Sequence, residues 1–186
     1  MKKILLLLFL IKLSFSLDIT VNSAGWQGGG GWGDTKFYID GVNVGPCNEG
    51  CDSYGDSDCA STCSHPNGRG IQIVQLNENT YEVEYVASFD THASSSAANQ
   101  VRSYLENVPD GKIVLFATMD QGYHSQLPFD LFHSVLGSSI TNSSNCFGFR
   151  HSFALISQVP NLLAEEFGPT DSYISLSYQL DTSILG

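Results

Sequence analysis

One carboxylate stands where a folded protein often presents a functional side chain. Asp120 follows an apolar run, Ile113–Ala117, and Gly122 comes two residues later. The apolar run predicts a buried strand, and the glycine predicts a tight turn. A polar side chain at the end of a rigid strand is held in a fixed place. We therefore expect Asp120 to serve as a fixed hydrogen-bond acceptor.

The sequence lacks the common signatures of catalysis. It contains five histidines, but no HExxH zinc motif, no GxSxG nucleophile motif and no cysteine–histidine signature. A carboxylate pair such as Asp90 and Asp120 hydrolyses glycosides only at a suitable separation, which the sequence does not set. We therefore predict a protein that is not an enzyme and that needs no cofactor.

Four of the five cysteines lie close together in one polar stretch. Disulfides are the expected state of such a cluster in an oxidising compartment, and zinc is the less favoured alternative. Three pairings are possible, and the sequence does not choose among them. The fifth, Cys146, is free, pairs between chains to form a homodimer, or pairs with one of the four. The predicted disulfide cysteines are Cys47, Cys51, Cys59 and Cys63.

The first 16 residues have the features of a secretory signal peptide. Two lysines precede an apolar run, Ile4–Ile11, which is too short to span a bilayer, and Ser14–Ser16 suits a signal peptidase. We therefore predict a secreted, extracellular protein without a membrane span, in which residues 17–186 form a single domain. The sequon at Asn142 predicts N-glycosylation.

Loss of the signal peptide would leave a strongly acidic protein. It removes three lysines and no acid, so the formal net charge changes from −11 to −14. Nucleic acids and anionic membranes are bound mainly through Lys and Arg, so we exclude both as partners. The remaining cations are Lys36, Arg69, Arg102, Lys112 and Arg150.

Hydrophobic patterning predicts an α+β domain. Alternation predicts six to eight strands, and helical spacing predicts two or three helices, without the regular βαβα order of a doubly wound fold. A hairpin is expected around Asp40–Gly41, and Gly25–Gly33 is expected to be a loop. The clearest helix is Ser94–Val108, and a second covers about Phe129–Leu136. The other predicted strands lie at 19–21, 71–76, 81–89, 113–117, 152–156 and 174–180.

Several short segments of the sequence resemble the interleukin-like EMT inducer family, whose domain is also called ILEI or PANDER. They lie at 19–25, 39–41, 69–77, 89–91, 108–115, 120–122, 136–138, 148–150 and 152–156. The resemblance implies a compact secreted domain of two packed, twisted β-sheets, mostly antiparallel, lined by two or three short helices. A cysteine-rich insertion at about 45–67 has no counterpart that we recognise in the family.

The resemblance also implies a binding site. A lectin-type member, in the stem of a Golgi O-mannose glycan-modifying transferase, uses an arginine, an aspartate and a second arginine within these segments. They correspond to Arg69, Asp120 and Arg150, which would offer planar donors and an acceptor to a sugar. Tyr123 and His124 would line the same pocket. A carbohydrate-binding protein is therefore implied, with a glycan or a glycosylated surface protein as its partner.

Two alternatives remain open at this point. Other family members are cytokine-like, which would make this a secreted signalling protein that acts through a protein receptor. The arginines would alternatively support the fold, because Arg69 or Arg150 would pair with Asp90 or Asp120 in a buried polar cluster. The family usually has an aspartate after the second arginine, whereas this chain has His151.

Overall fold

The structure, a computed structural model, describes residues 16–25, 35–45, 69–92, 94–141 and 147–181. The predictions for the signal peptide, the glycine-rich loop and the four clustered cysteines fall outside these residues, apart from Ser16 and Gly25 at their edges. So do those for Cys146 and Asn142. No helix in the described ranges is long and apolar enough to cross a membrane.

The described residues form nine strands and two helices. The strands are β1 (Ser16–Gly25), β2 (Lys36–Ile39), β3 (Val42–Asn43), β4 (Gly70–Leu76), β5 (Val83–Phe89), β6 (Ile113–Asp120), β7 (His151–Gln158), β8 (Asn161–Thr170) and β9 (Tyr173–Asp181). Helix α1 (Ser95–Asn107) lies between β5 and β6, and helix α2 (Phe129–Leu136) lies between β6 and β7. The α+β prediction is confirmed, but the predicted strand count was too low.

Both helices begin and end at the residues that the sequence indicates. Ser94 has an extended backbone, and its side chain accepts a hydrogen bond from the backbone N–H of Ser96 at 3.2 Å, which satisfies one of the free amides of the first turn. Helix α1 stops at Asn107, two residues before Pro109. Helix α2 ends at Gly137, whose φ of 69° is the left-handed conformation that glycine adopts without strain.

Two hairpins also follow local turn signals. Asp40 and Gly41 have φ values of 49° and 79°, as the two-residue turn between β2 and β3 requires. Between β4 and β5, the side chain of Asn77 accepts hydrogen bonds from the backbone N–H groups of Asn79 and Thr80, at 2.9 and 3.0 Å. A side chain that closes its own turn in this way is typical of asparagine.

Strand β6 lies at the centre of the sheet and has three neighbours. One edge of β6 pairs antiparallel with β4. The other edge pairs antiparallel with β7 over Ile113–Ala117, and then parallel with β1 at Met119 and Asp120. Strand β1 continues the sheet to β2 and β9, β4 continues it to β5, and β7 continues it to β8. The sheet therefore forks at the carboxyl end of β6.

Hydroxyl groups satisfy the backbone at this fork. The Ser23 hydroxyl donates to the backbone oxygen of Thr118 at 2.7 Å. The backbone N–H of Phe153 lies 3.0 Å from both the Ser23 Oγ and the Thr118 Oγ1. These side chains replace partners that a neighbouring strand would otherwise supply, since buried backbone groups need hydrogen bonds.

Alternate residues of β6 face two different apolar clusters. Val114 and Phe116 pack among residues of α1 and α2, whereas Ile113 and Leu115 pack among residues of β1, β2 and β9. Burial on both faces explains the continuous apolar sequence of β6. The resemblance implied two packed sheets, whereas hydrogen bonds join all nine described strands into one mixed sheet. Its two halves share the second cluster.

Strand β8 is the element that the sequence did not predict. Five of its ten residues are half-buried and only one is buried, so no clear alternation of buried and exposed positions marks the strand. Its pairing with β7 shifts register between His151 and Phe153 and again between Ile156 and Ser157. Each shift breaks the period of two on which strand prediction depends.

Candidate functional site

The site begins with Asp120, the last residue of β6. Its φ is 58°, and the backbone N–H of Gln121 donates to the backbone oxygen of Met119 at 2.7 Å, so the chain turns sharply there. Aspartate is one of the few residues other than glycine that tolerates this left-handed backbone. Only 6% of the Asp120 side chain is exposed. The carboxylate is therefore held below the surface, at the fork of the sheet.

Arg150 lies opposite Asp120 and is fixed through its backbone. Its φ is 57°, and its N–H donates to the side-chain oxygen of Gln121 at 2.6 Å. Its backbone oxygen accepts a hydrogen bond from the N–H of Asp171 at 2.9 Å. The Arg150 Nε lies 3.8 Å from Asp120 Oδ1, an ion-pair distance that is longer than a hydrogen bond. The Arg150 side chain is 31% exposed, so it is the solvent-facing member of the pair.

Arg69 is held by a different carboxylate. Its Nε and Nη2 donate to the two oxygens of Asp90 at 2.9 and 2.7 Å, which is a bidentate pair. Such a pair fixes the plane of the guanidinium. The positive charge of Arg69 still acts on Asp120, since it lowers the pKa of that carboxyl. The structure therefore shows the alternative in which Arg69 pairs with Asp90. This pair lies close enough to Asp120 for the charge of Arg69 to act on it.

Burial dominates the electrostatics of Asp120. It raises the pKa of the carboxyl from 3.8 to about 6, although the charges of Arg150 and Arg69 act in the opposite direction. The negative charges of Asp171 and Asp90 raise it further. Within the part of the chain that the structure describes, the buried Oδ1 of Asp120 has no hydrogen-bond partner. An unpaired buried oxygen of this kind calls for an explanation, because it costs free energy.

Two rings lie beside this group. The Arg150 Cζ lies 4.9 Å from the centre of the Phe149 ring, and the His92 ring lies 6.3 Å from the same ring in an edge-on arrangement. Burial lowers the pKa of His92, the charge of Arg69 adds to the effect and that of Asp90 opposes it. His92 therefore belongs to the same electrostatic neighbourhood.

Tyr123 and His124 lie next to this group: the Tyr123 backbone oxygen accepts a hydrogen bond from the Gln121 side chain at 3.2 Å, and the charge of His124 lowers the pKa of His92. The Tyr123 ring lies 6.1 Å from that of Phe147 and 6.5 Å from that of Phe129. It packs against the apolar cluster between the two helices and the sheet. The Nδ1 of His124 accepts a hydrogen bond from the backbone N–H of Gln126 at 3.1 Å. Their predicted role as pocket-lining residues stays a prediction.

Sequence reasoning missed three residues that shape the site. Gln121 is buried and joins the β6 turn to Arg150. Its position between Asp120 and Gly122 was the sequence signal that could have indicated its role. Asp171 contributes a negative charge and an anchoring N–H, but its turn joins two strands of which one was not predicted. A Cβ at Gly25 would collide with the backbone oxygen of Arg150, so only glycine fits there.

No metal centre is apparent among the described residues of this region. Among the described residues, no cluster of three or more His, Cys, Asp or Glu side chains could hold a metal ion. Two surface hollows of about 430 and 420 Å³ lie elsewhere, between β1 and β9 and between α1 and β5.

Known sequences relate the site to one family. The sequence model of the family described as interleukin-like EMT inducer matches residues 69–159. The chain carries an interleukin-like EMT inducer (ILEI) region. This match confirms the resemblance, and no curated protein matches the chain. The ILEI region begins at Arg69 and includes Asp120 and Arg150, whereas Gly25 and Asp171 lie outside it.

Proposed function

We propose that this protein is a secreted, non-enzymatic, carbohydrate-binding member of the ILEI family. Its binding site would be centred on Asp120 and Arg150. The observation that carries the proposal is the buried Oδ1 of Asp120, which lacks a hydrogen-bond partner among the described residues and lies 3.8 Å from the Arg150 Nε. An unpaired carboxylate oxygen next to a partly exposed guanidinium suits a ligand hydroxyl that donates to one and accepts from the other, once a side-chain movement uncovers the oxygen.

The two ends of this pair differ in exposure in a way that supports ligand binding. Arg150 is 31% exposed and Asp120 is 6% exposed, so a ligand would meet the guanidinium first and the carboxylate beneath it. Both residues are held by their backbones, through the β6 turn and through Gln121 and Asp171. The backbone of the site would then need little ordering on binding, which favours affinity, and only a side-chain movement would be needed to uncover Oδ1.

The local charge favours a neutral sugar over an acidic one. The group contains two cations, Arg69 and Arg150, and three acids, Asp90, Asp120 and Asp171. The rest of the chain is also strongly acidic, with a formal net charge of −11 for the full sequence. A uronic acid or a sulfated sugar would therefore be repelled, whereas a neutral N-acetylhexosamine would not.

A titration of the ¹⁵N-labelled protein with methyl β-N-acetylglucosaminide tests the proposal. We expect the amide signals of Asp120, Gln121 and Arg150 to move, and the Asp120→Asn variant to bind at least tenfold more weakly. Asp130→Asn is the matched control, because it also removes one negative charge, but from an exposed pair with Arg102 at 3.3 Å. Equal binding by the Asp120→Asn protein, or no binding by the wild type, would overturn the proposal.

A further inference from the structure

Strand β5 lies at one end of the sheet. Among the described strands it pairs only with β4. This pairing is regular from Tyr85 to Phe89 and shifts register by one residue at Glu84. The backbone groups on the outer edge of the regular segment suit a further strand, and natural proteins usually protect such an edge with charged residues or proline.

The outer edge of β5 lacks this protection. The regular segment, Tyr85–Phe89, contains no charged residue and no proline. Glu84, the only charged residue of β5, is tied back towards the rest of the sheet. Its carboxylate lies 2.8 Å from the Nζ of Lys112 and accepts a hydrogen bond from the side chain of Asn77 at 2.7 Å. Its charge is therefore compensated and does little to repel an incoming strand.

A hollow of about 420 Å³ lies beside the same edge. Tyr85 and Phe89 line it from β5, and the Tyr85 ring, which belongs to a 38% exposed residue, stacks on that of Tyr104. The centres of interfaces are depleted of charged residues, so an uncharged surface on a strongly acidic chain suits a partner. The residues that α1 contributes to the hollow share one face of the helix and are all uncharged: Gln100, Ser103, Tyr104 and Asn107.

We propose that two copies of this chain pair through β5 in an antiparallel, two-fold symmetric arrangement. This dimer is independent of carbohydrate binding. With the two-fold axis at Ala87, Tyr85 of each copy lies opposite Phe89 of the other, and the whole regular segment is paired. Two aromatic pairs then flank a small central residue, and such pairs across neighbouring strands are favourable. The arrangement uses the β5 edge of both copies, so it closes as a dimer.

The same arrangement covers the hollow in each copy. Tyr85, Ala87 and Phe89 lie on the face of the sheet that α1 covers. A two-fold axis perpendicular to the sheet keeps both α1 helices on this face, with their uncharged faces towards each other. A second copy is favoured over an unrelated peptide, because the strand and the helix face complement themselves about one axis. The interface is small, so association should be reversible.

Sedimentation equilibrium of the Cys146→Ser protein tests the proposal, because this substitution removes any disulfide between copies through Cys146. At physiological salt, which screens the repulsion between acidic copies, we expect a monomer–dimer equilibrium. Tyr85→Lys should weaken association by about a hundredfold, because the dimer would bury two unpaired charges. Val42→Lys is the matched control and should not change association. Val42 is 63% exposed and lies on β3, at the opposite end of the sheet.

Isotope-filtered NMR locates the interface without any substitution in β5. In a mixture of labelled and unlabelled protein, we expect nuclear Overhauser effects between copies within β5, for example from Val86 of one to Ser88 of the other. A protein that stays monomeric at its highest soluble concentration would overturn the proposal. A dimer without these effects, or one that Val42→Lys weakens as much as Tyr85→Lys does, would also overturn it, because the copies would then meet elsewhere. Circular dichroism shows whether each variant is folded.

Discussion

Replacement of Asp120 by asparagine should make the protein more stable at neutral pH. Asparagine has the same size and shape, and it also tolerates the φ of 58° at this position. The substitution therefore changes little besides the ionisation of a side chain that is only 6% exposed. A buried charge without a hydrogen-bond partner opposes folding, and its removal should relieve that cost.

The size of the effect follows from the pKa of Asp120, which burial raises from 3.8 to about 6. Each pKa unit corresponds to about 1.4 kcal/mol, so the ionised carboxylate opposes folding by up to about 3 kcal/mol. The folded state holds the proton more tightly than the unfolded state. The cost is therefore complete above pH 6, is relieved as the pH falls towards 3.8, and is absent below that value. Asparagine carries no such cost at any pH.

Urea unfolding of both proteins at about pH 7.5 and pH 4, without added reductant, measures the difference. We expect the stability advantage of Asp120→Asn to be about 2 kcal/mol larger at the higher pH. Asp130→Asn is the control, because it removes a carboxylate that is 69% exposed, and its effect should stay within about 0.5 kcal/mol. An advantage that is equal at the two pH values, or larger in acid, would refute the reasoning about a buried ionised carboxylate.

Three further outcomes are expected. Sugar affinity measured by calorimetry should fall between pH 7.5 and pH 5, because Asp120, with a pKa of about 6, takes up a proton and loses an acceptor; constant affinity would contradict this. Gly25→Ala, whose Cβ meets backbone atoms, should lower the free energy of unfolding by about 2 kcal/mol and weaken sugar binding. Gly41→Ala, which is strained by a φ of 79° but whose Cβ meets no other atom, should lower stability and leave binding unchanged. Lys112→Gln should lower the thermal midpoint at pH 7, and the loss should shrink as the pH approaches 2, where Glu84 is protonated.

Elements with a local signal could be predicted from the sequence. The N-cap at Ser94, the turn at Asp40–Gly41 and the left-handed end at Gly137 each depend on residues within one turn of the chain. Strand β8 could not be predicted, because its buried and exposed positions do not clearly alternate and its register shifts twice against β7. The fork could not be predicted either, because it joins β6 to β1, about a hundred residues earlier, over only two residue pairs.

In the candidate site, too, residues with a local signal could be predicted, whereas residues that depend on distant contacts could not. The placement of Asp120 followed from an apolar run and a glycine, and the structure ends β6 at that residue. The partner of Arg69 could not be chosen from the sequence, because Asp90 and Asp120 were equally plausible until the bidentate contact with Asp90 was seen. The roles of Gly25 and Asp171 depend on backbone contacts with Arg150, which only the three-dimensional arrangement reveals.

The fork in the sheet has a consequence for dynamics. Two residue pairs of β1 and β6, together with the Ser23 and Thr118 hydroxyls, join the halves of the sheet at the place where Asp120 emerges. A transient opening between the halves would have to break these few bonds first. A molecule bound across Asp120 and Arg150 would make this opening less frequent. Amide protons on β1 and β7, which the molecule does not contact, would then exchange more slowly with heavy water.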